Sequence, residues 1–397
     1  MRFGPSDTVL ASAASWECRV SSWLGGTLLA GDVPILTGHA TGHVSRRVQK
    51  HVSFTVPPFT VEAGRTVGWL PKKATDPIAR YGQVVDVTVS VAGVDSRIGR
   101  YLIVDWDEND DGSITVEADG QQRWADDDRF LTAVGPRDGG TLISEARRML
   151  PAYMAAAFAD GLIDRAVPLV MQWNENRLDN LYSIADTWPA RLREDEWGQM
   201  VFGPPLPEVP TPVLSYRDGG PETTTVTVTT GDMYPADDVY PLDDRYLGGT
   251  VVSELPVGPG GTLMAAPVSD SRDGAYNVFV ARSSAQDVDV QAVVQVLSGP
   301  MDPTGPYRPV PKFLAAPTLT TYEQCRAAAE SMRDAAVRES TIRKVTIAPD
   351  PRPDLDDAVE TITGWGTPLQ ERRWGYVVGY DIGLTVNDGP TRLDITG

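Results

Sequence analysis

Few residues in this sequence have the types and spacing that chemistry needs. His39, His43 and His51 are its only histidines, and imidazoles this close together invite comparison with a zinc-ligand set. Their setting argues against it. His39 and His43 stand beside Gly38 and Gly42 in a turn-and-strand segment, and His43 and His51 share a strand face only where no bulge intervenes. A second constellation, Asp105, Asp107, Asn109, Asp111 and Gly112, resembles part of a calcium loop of the D-x-D/N-x-D/N-G type, in which hard oxygens at alternate positions surround one cation. Counted from Asp107, the bidentate acid should fall at Ala118, with Glu117 one place early, and the flanks are patterned as strands. A solvated acidic hairpin turn is therefore the expectation there, and no catalytic residue, cofactor or metal is assigned.

The common enzyme signatures are missing: no G-x-S-x-G elbow, H-E-x-x-H helix, glycine-rich phosphate loop or G-x-G-x-x-G turn occurs. The acid pairs Glu194 with Glu196 and Asp237 with Asp238 have the chemistry of a glycosidase. In a chain with 54 acidic residues such pairs carry little signal, and a solvated face accounts for them. Cys18 and Cys325 lie far apart and form no C-x-x-C, so both are expected to be small buried hydrophobes. Of the ten tryptophans most should anchor cores, while those between Trp365 and Trp374 are candidates for filling a partner's pockets.

The charge balance excludes one large class of partner. With a net charge of −19, and only Lys50, Lys72, Lys73, Lys312 and Lys344 as lysines, there is no clustered basic surface to track phosphates. No stretch of about 18 apolar residues exists to span a membrane, and Met1 to Ala14 lacks the pattern of a signal peptide, so synthesis in the cytoplasm is expected. A hydrophobic content of 41% against 22% charged residues is that of a folded protein, and 397 residues imply several domains.

The elements that would position these residues are mostly strands. From Trp16 to about Val134, runs rich in Val, Thr and aromatics alternate with Gly, Pro and Asp. Val85, Val87, Val89 and Val91 fall on one face of a strand, with Asp86, Thr88 and Ser90 on the other. Tyr101 to Trp106 and Ser113 to Ala118 form a hairpin about Asp107 to Gly112, and together these strands predict an antiparallel barrel or sandwich. After Gly139-Gly140 the period changes: Leu142, Ala146, Met149, Leu150 and Tyr153 predict a helix over 142–157, interrupted or kinked at Pro151. Leu178, Leu181, Tyr182, Ala185 and Trp188 predict a second helix ended by Pro189, followed by short strands at Arg191 to Glu194 and Gln199 to Phe202. Gly203 to Pro212 holds five prolines in ten residues and is a stiff connector. Beyond it come a β-branched strand at Thr223 to Thr230, an acidic loop from Gly231 to Tyr246, and strands at Ala275 to Ala281, Val288 to Leu297, Arg343 to Ala348 and within Tyr376 to Ile395. Thr321 with Gln324 makes a capping box for a helix ending near Arg338, whose apolar face is Tyr322, Cys325, Ala329, Met332 and Ala336.

The fold class is thus β-rich α+β, with two antiparallel barrel-like regions and a small α/β unit between them. The domains are 1–136, a β-barrel; 137–212, the α/β unit with its connector; and 213–397, a second barrel with the capped helix at about 320–338.

In this order the segments resemble the baseplate-hub and minor tail proteins of long-tailed phages, particularly those of actinobacteria. The resemblance rests on Arg46-Arg47 and the FTVP at Phe54 to Pro57, and on the helix and acidic hairpin of Leu178 to Phe202. It also rests on Asn277 to Ala281, Gly305-Pro306-Tyr307 with Pro309 to Phe313, the helix opening at Thr320-Thr321, and Val345 to Leu355. Where the family carries a recurrent Gly-Asp this chain has Asp356-Asp357, which leaves room for a different local turn. The loops Gly203 to Pro212 and Gly231 to Pro259 have no counterpart.

The resemblance implies a non-enzymatic structural protein of the virion tail tip. It implies a homotrimer whose paired barrels match a sixfold tube, with a distal tail protein, a tape-measure protein and tail fibre or receptor-binding proteins as partners. DNA would pass through the ring without sequence-specific binding. The rival readings are a tail-associated cell-wall hydrolase and a carbohydrate-binding receptor module.

Overall fold

The computed structural model describes the chain except for residues 13, 14, 63, 221, 230–249, 258, 259, 271, 273 and 397; for 62, 222–229, 250–257 and 268–270 it describes the backbone alone. The acidic loop of 231–246, with Asp237 and Asp238, therefore lies outside the described residues.

A single turn of helix, α1 (Asp7–Leu10), precedes nine strands: β1 (Trp16–Leu24), β2 (Thr27–Ala30), β3 (Thr37–His43), β4 (Lys50–Val56), β5 (Phe59–Glu62), β6 (Arg65–Gly68), β7 (Gln83–Val91), β8 (Val94–Glu108) and β9 (Ile114–Gly120). β5 and β6 form a separate hairpin, while the others pair in the order β3-β4-β9-β8-β7-β1-β2. The valine alternation of β7 acts as the sequence implies: Val85, Val87 and Val89 are fully buried, and burial of each contributes roughly 1.5–3 kcal/mol. They meet Val20, Ala40, Phe54, Ile103 and Val116 from five other strands in one core, so the sheet must curl around it. Bulges at Ser22/Trp23, Val87/Thr88 and Ile103/Asp105 supply the extra twist that curling requires.

The next unit contains α2 (Gln122–Asp127), α3 (Leu142–Met149), β10 (Ala156–Phe158), α4 (Arg177–Thr187), β11 (Arg191–Glu194) and β12 (Met200–Gly203). The helix expected over 142–157 stops at Met149. Leu150 turns to an extended ψ of 139° ahead of Pro151, as a residue before proline must, and Ala156–Phe158 becomes a strand parallel to β12. Tyr153, assigned to the apolar stripe of that helix, is instead 63% exposed. α4 matches its pattern, burying Leu178, Leu181, Ile184 and Ala185 against Met149, Trp188 and Phe202.

Residues beyond the proline connector build two cores. β13 (Leu214–Arg217), β14 (Glu222–Thr229), β15 (Thr250–Val257), β16 (Leu263–Ala265) and β17 (Val268–Asp270) come first. Then follow β18 (Val278–Ser283), β19 (Gln291–Gln295), β20 (Pro311–Ala316), α5 (Tyr322–Glu339) and β21 (Thr341–Ile347). The chain closes with β22 (Ala358–Thr363), β23 (Glu371–Gly383) and β24 (Thr391–Thr396). Leu214, Tyr216, Val345, Val359, Val377, Tyr380 and Leu393 form one core, and the three strands β19-β18-β20 pack on α5 to form the other. Thr321 caps α5 by accepting from the Gln324 amide, as its capping box requires. Its buried face is Cys325, Ala328, Ala329 and Ala336; Tyr322, expected on that face, is 54% exposed.

The two barrel-like halves are one sheet. β3 pairs antiparallel with β23, from Gly379 opposite His43 to Gly383 opposite His39, which joins strands of both halves into one sheet of fourteen, while β5–β6, β10–β12, β14–β15 and β18–β20 stay outside it. Gly42 makes the crossing possible, because a Cβ there would lie 2.4 Å from the Tyr380 ring. Most pairs are antiparallel; β10 with β12, β13 with β22 and β18 with β20 are parallel. Among the described residues no helix is long and apolar enough to cross a membrane.

Candidate functional site

The acidic loop forms the tip of the β8–β9 hairpin. Asp111 accepts from the Ser113 amide at 2.9 Å and hydroxyl at 2.6 Å, while Asn109 donates to Ser113 Oγ and Thr115 Oγ1, each at 3.0 Å. Asp105 accepts from the amide of Trp106 at 2.9 Å. The Ser113 hydroxyl and amide hold the Asp111 carboxyl below the usual carboxylate range. These groups cap their own turn, with Gly112 in the left-handed conformation that closes it. Among the described residues no three His, Cys, Asp or Glu side chains are placed to hold a metal ion.

The histidines share one outward face. The β3–β4 register runs without a bulge, with Thr41 opposite His51, so parity puts His39, His43 and His51 on the same side. Each has its own partner: His39 Nδ1 lies 2.7 Å from Asp381, His43 Nδ1 accepts from the Ser45 amide, and His51 bridges Glu117 at 2.7 Å and Asp119 at 2.9 Å. The bond to Asp119 raises the His51 pKa against the opposing effect of its burial. The sheet thus spreads imidazoles and carboxylates into a row instead of converging them. Glu194 is buried and accepts from the amides of Gln121 and Gln122, both at 2.9 Å, at the start of α2, and burial pushes its carboxyl up to about 7.

Among the described residues, buried charge gathers at a joint where the two halves of the sheet meet the α/β unit. Arg2 and Lys50, each 1% exposed, converge on Asp354 at 2.8 and 3.0 Å. Arg2 also donates to the carbonyls of Pro351 and Pro353, its guanidinium carbon lies 4.6 Å from the centre of the Tyr380 ring, and the N-terminal ammonium pairs with Asp357. Burial works against charge on Arg2, Lys50 and Asp354, but their mutual attraction prevails, raising the pKa of both cations and lowering that of Asp354. Beside them Asp356 takes ion pairs from Arg191 at 2.5 Å and Arg193 at 2.7 Å, both on β11.

Asp356 adopts φ +68°, the left-handed conformation that a glycine takes without cost. The turn therefore keeps a glycine-like geometry despite the departure noted in the sequence, and two arginines hold the strained residue in place. Sequence reasoning missed this joint, yet one signal was present. Val52, Phe54 and Val56 alternate inward on β4, and the same parity carries Lys50 into the core.

Two solved structures match this architecture over nearly their whole length. The tail protein from Neisseria meningitidis MC58 superposes with a TM-score of 0.58 at 12% identity, covering 96% of this chain and 97% of that one. The 43 kDa tail protein of prophage MuSo2 from Shewanella oneidensis gives a TM-score of 0.56 at 13% identity, covering 96% and 98%. The chain has the fold of these tail proteins. No family model and no curated protein matches the sequence.

In this tail-protein fold the tryptophans depart from the expected majority in cores: three of the ten are buried, five are half-buried, and Trp197 and Trp374 are exposed. Trp69, Trp173 and Trp188 are buried, and Trp173 Nε1 donates to the buried Glu145 at 2.8 Å. In the window singled out for partner contacts, Trp374 is 48% exposed and Trp365 carries the Arg217 guanidinium 4.5 Å from its ring centre. Trp197, outside that window, is 57% exposed at the tip of the β11–β12 hairpin. Both cysteines are free; Cys325 is buried as expected, whereas Cys18 is half-buried at the surface, although desolvation pushes its thiol up to about 12.

Proposed function

We propose that this chain is a structural subunit of a phage tail tip, a baseplate hub in which three copies close a ring at the end of the tail tube. The observation that carries the reading is the full-length likeness in fold to two tail proteins. The paired sheet halves support it: two barrel-like regions per copy give three copies six similar lobes, enough to adapt a threefold ring to a sixfold tube. Closed rotational symmetry makes each contact heterologous, one patch meeting a different patch on its neighbour. The buried joint serves this role by fixing the angle between the lobes, on which closure depends. The domains that do this are 1–136, whose α2 packs on the α/β core, 137–212, and 213–397, the last holding two cores.

In the ring the chain anchors the distal tail protein, the tape-measure protein and the tail fibre or receptor-binding proteins. It resides in the virion, is assembled in the host cytoplasm, and does no catalysis of its own. The net charge of −19 favours passage of DNA without adhesion, since like charge lining a narrow channel repels the strand. Light scattering of the purified chain across a concentration series tests the stoichiometry. A mass three times the 43.0 kDa of one copy is expected, and a monomer at every concentration overturns the ring. A zymogram on host cell walls, expected blank, tests the absence of hydrolysis.

A further inference from the structure

An open cleft of about 670 Å3 lies where the β1–β2 turn and the residues before β7 face the α/β unit, and it plays no part in the hub reading. Its size falls inside the roughly 300–1,000 Å3 of small-ligand sites. Four aromatic rings line it: Tyr81, Trp124, Tyr153 and Trp197. Tyr81 is 66%, Tyr153 63% and Trp197 57% exposed, so three of the four rings are open to solvent at the cleft. Gln121, Gln199 and Arg100 share the lining. Among its residues there is no Asp or Glu, in a chain where acids outnumber bases 54 to 35.

The rings are held before anything binds. Asp195 accepts from the amides of Trp197 and Gln199, each at 2.8 Å, and so pins the tip of the hairpin. The Arg97 guanidinium covers one face of Trp197 at 4.3 Å from its centre, and Arg97 is itself fixed by the Glu196 carbonyl and by Asp86. Tyr153 meets Trp124 edge to face at 5.1 Å. Gly198 is required at the turn: its φ is +83°, and a Cβ there would stand 2.5 Å from Gln121 Cγ. Rigid rings of this kind bind at low entropic cost.

We propose that this cleft binds a short oligosaccharide, neutral or singly acidic, stacking sugar faces on Trp197 and Tyr153 and taking hydroxyl hydrogen bonds to Gln121, Gln199 and Arg100. Two alternatives fit less well. A single-stranded nucleic acid would stack on the same rings, but its phosphates need clustered cations and the lining supplies Arg100 alone. An amphipathic helix needs a continuous apolar floor, whereas amides, a guanidinium and glycine turns interrupt this one.

The test titrates the full-length chain with chitotetraose, maltotetraose and sialyllactose, the last carrying a single carboxylate, read by tryptophan fluorescence and ligand-observed NMR. At least one should saturate with a dissociation constant on the order of 1 mM. Trp197→Ala and Tyr153→Ala should each weaken that binding by about tenfold at an unchanged melting temperature, while Trp374→Ala, outside the lining, leaves it alone. Saturation by none of the three overturns the proposal. So does a change in oligomeric mass with Trp197→Ala, which would make the cleft a contact between copies, or tighter binding of an oligothymidylate than of any sugar. Binding is read on whichever oligomer is present, so its failure leaves the ring untouched, and failure of the ring leaves it intact.

Discussion

Replacing Asp354 with asparagine probes the joint with almost no change of shape. The wild-type carboxylate holds Arg2 at 2.8 Å and Lys50 at 3.0 Å, and both cations are 1% exposed. Arg2 keeps the carbonyls of Pro351 and Pro353, so the cost falls mainly on Lys50, whose ammonium stays dry without its counter-charge. Removing one partner of a buried pair costs about 3–5 kcal/mol. With an unfolding entropy of roughly 2.1 cal/mol/K per residue, 397 residues give about 0.8 kcal/mol/K, so the melting temperature should fall by about 4–6 °C. Calorimetry with urea titration by tryptophan fluorescence reads both quantities. The double substitution Lys50→Met with Asp354→Leu should recover the part of the loss that falls on Lys50, while Arg2 stays buried on the carbonyls of Pro351 and Pro353. A loss below about 1 kcal/mol for Asp354→Asn would refute the reasoning, since it would mean that water reaches the joint and screens it.

Other consequences are testable in the same preparation. Glu194 binds its proton more tightly folded, at about 7, than at its ordinary 4.5, so its contribution to stability is full below the lower value and is lost as pH rises to the upper one; Glu194→Gln should flatten that slope in urea titrations. His51 has a raised pKa, so its contribution is full below about 6.5 and lost as pH climbs through the folded value; an NMR titration should show the shift, and His51→Gln should abolish the dependence. At Asp356, where φ is +68°, Asp356→Ala should destabilise more than Asp356→Gly by roughly 1 kcal/mol, because only glycine is free of left-handed strain while both lose the arginine clamps. Excess calcium chloride should leave the melting temperature unchanged, since Asp105, Asn109 and Asp111 already bond within their own turn.

What the sequence made legible is what short-range periodicity controls. The valine face of β7, the stripe of α4 and the capping box of α5 each follow from residues within a few positions of one another, and the structure keeps all three. The helix expected over 142–157 is cut short at Met149, because the apolar spacing at Tyr153 does not outweigh the proline at 151. Long-range pairing was not legible. β3 finds β23 across more than three hundred residues, and nothing near either strand announces the other. Arg2 and Asp354 are likewise 352 positions apart, and the inward parity of Lys50 on β4 is the one local signal that a counter-charge must reach it. The aromatic cleft draws on separate turns, so Tyr81, Tyr153 and Trp197 look like scattered surface rings until the chain folds.

Electron microscopy of the purified chain tests the hub reading most directly, through class averages viewed down the symmetry axis. The expected image is an annulus of three copies with six similar lobes around an open centre. Averages showing single compact particles, or filaments without closure, would contradict it.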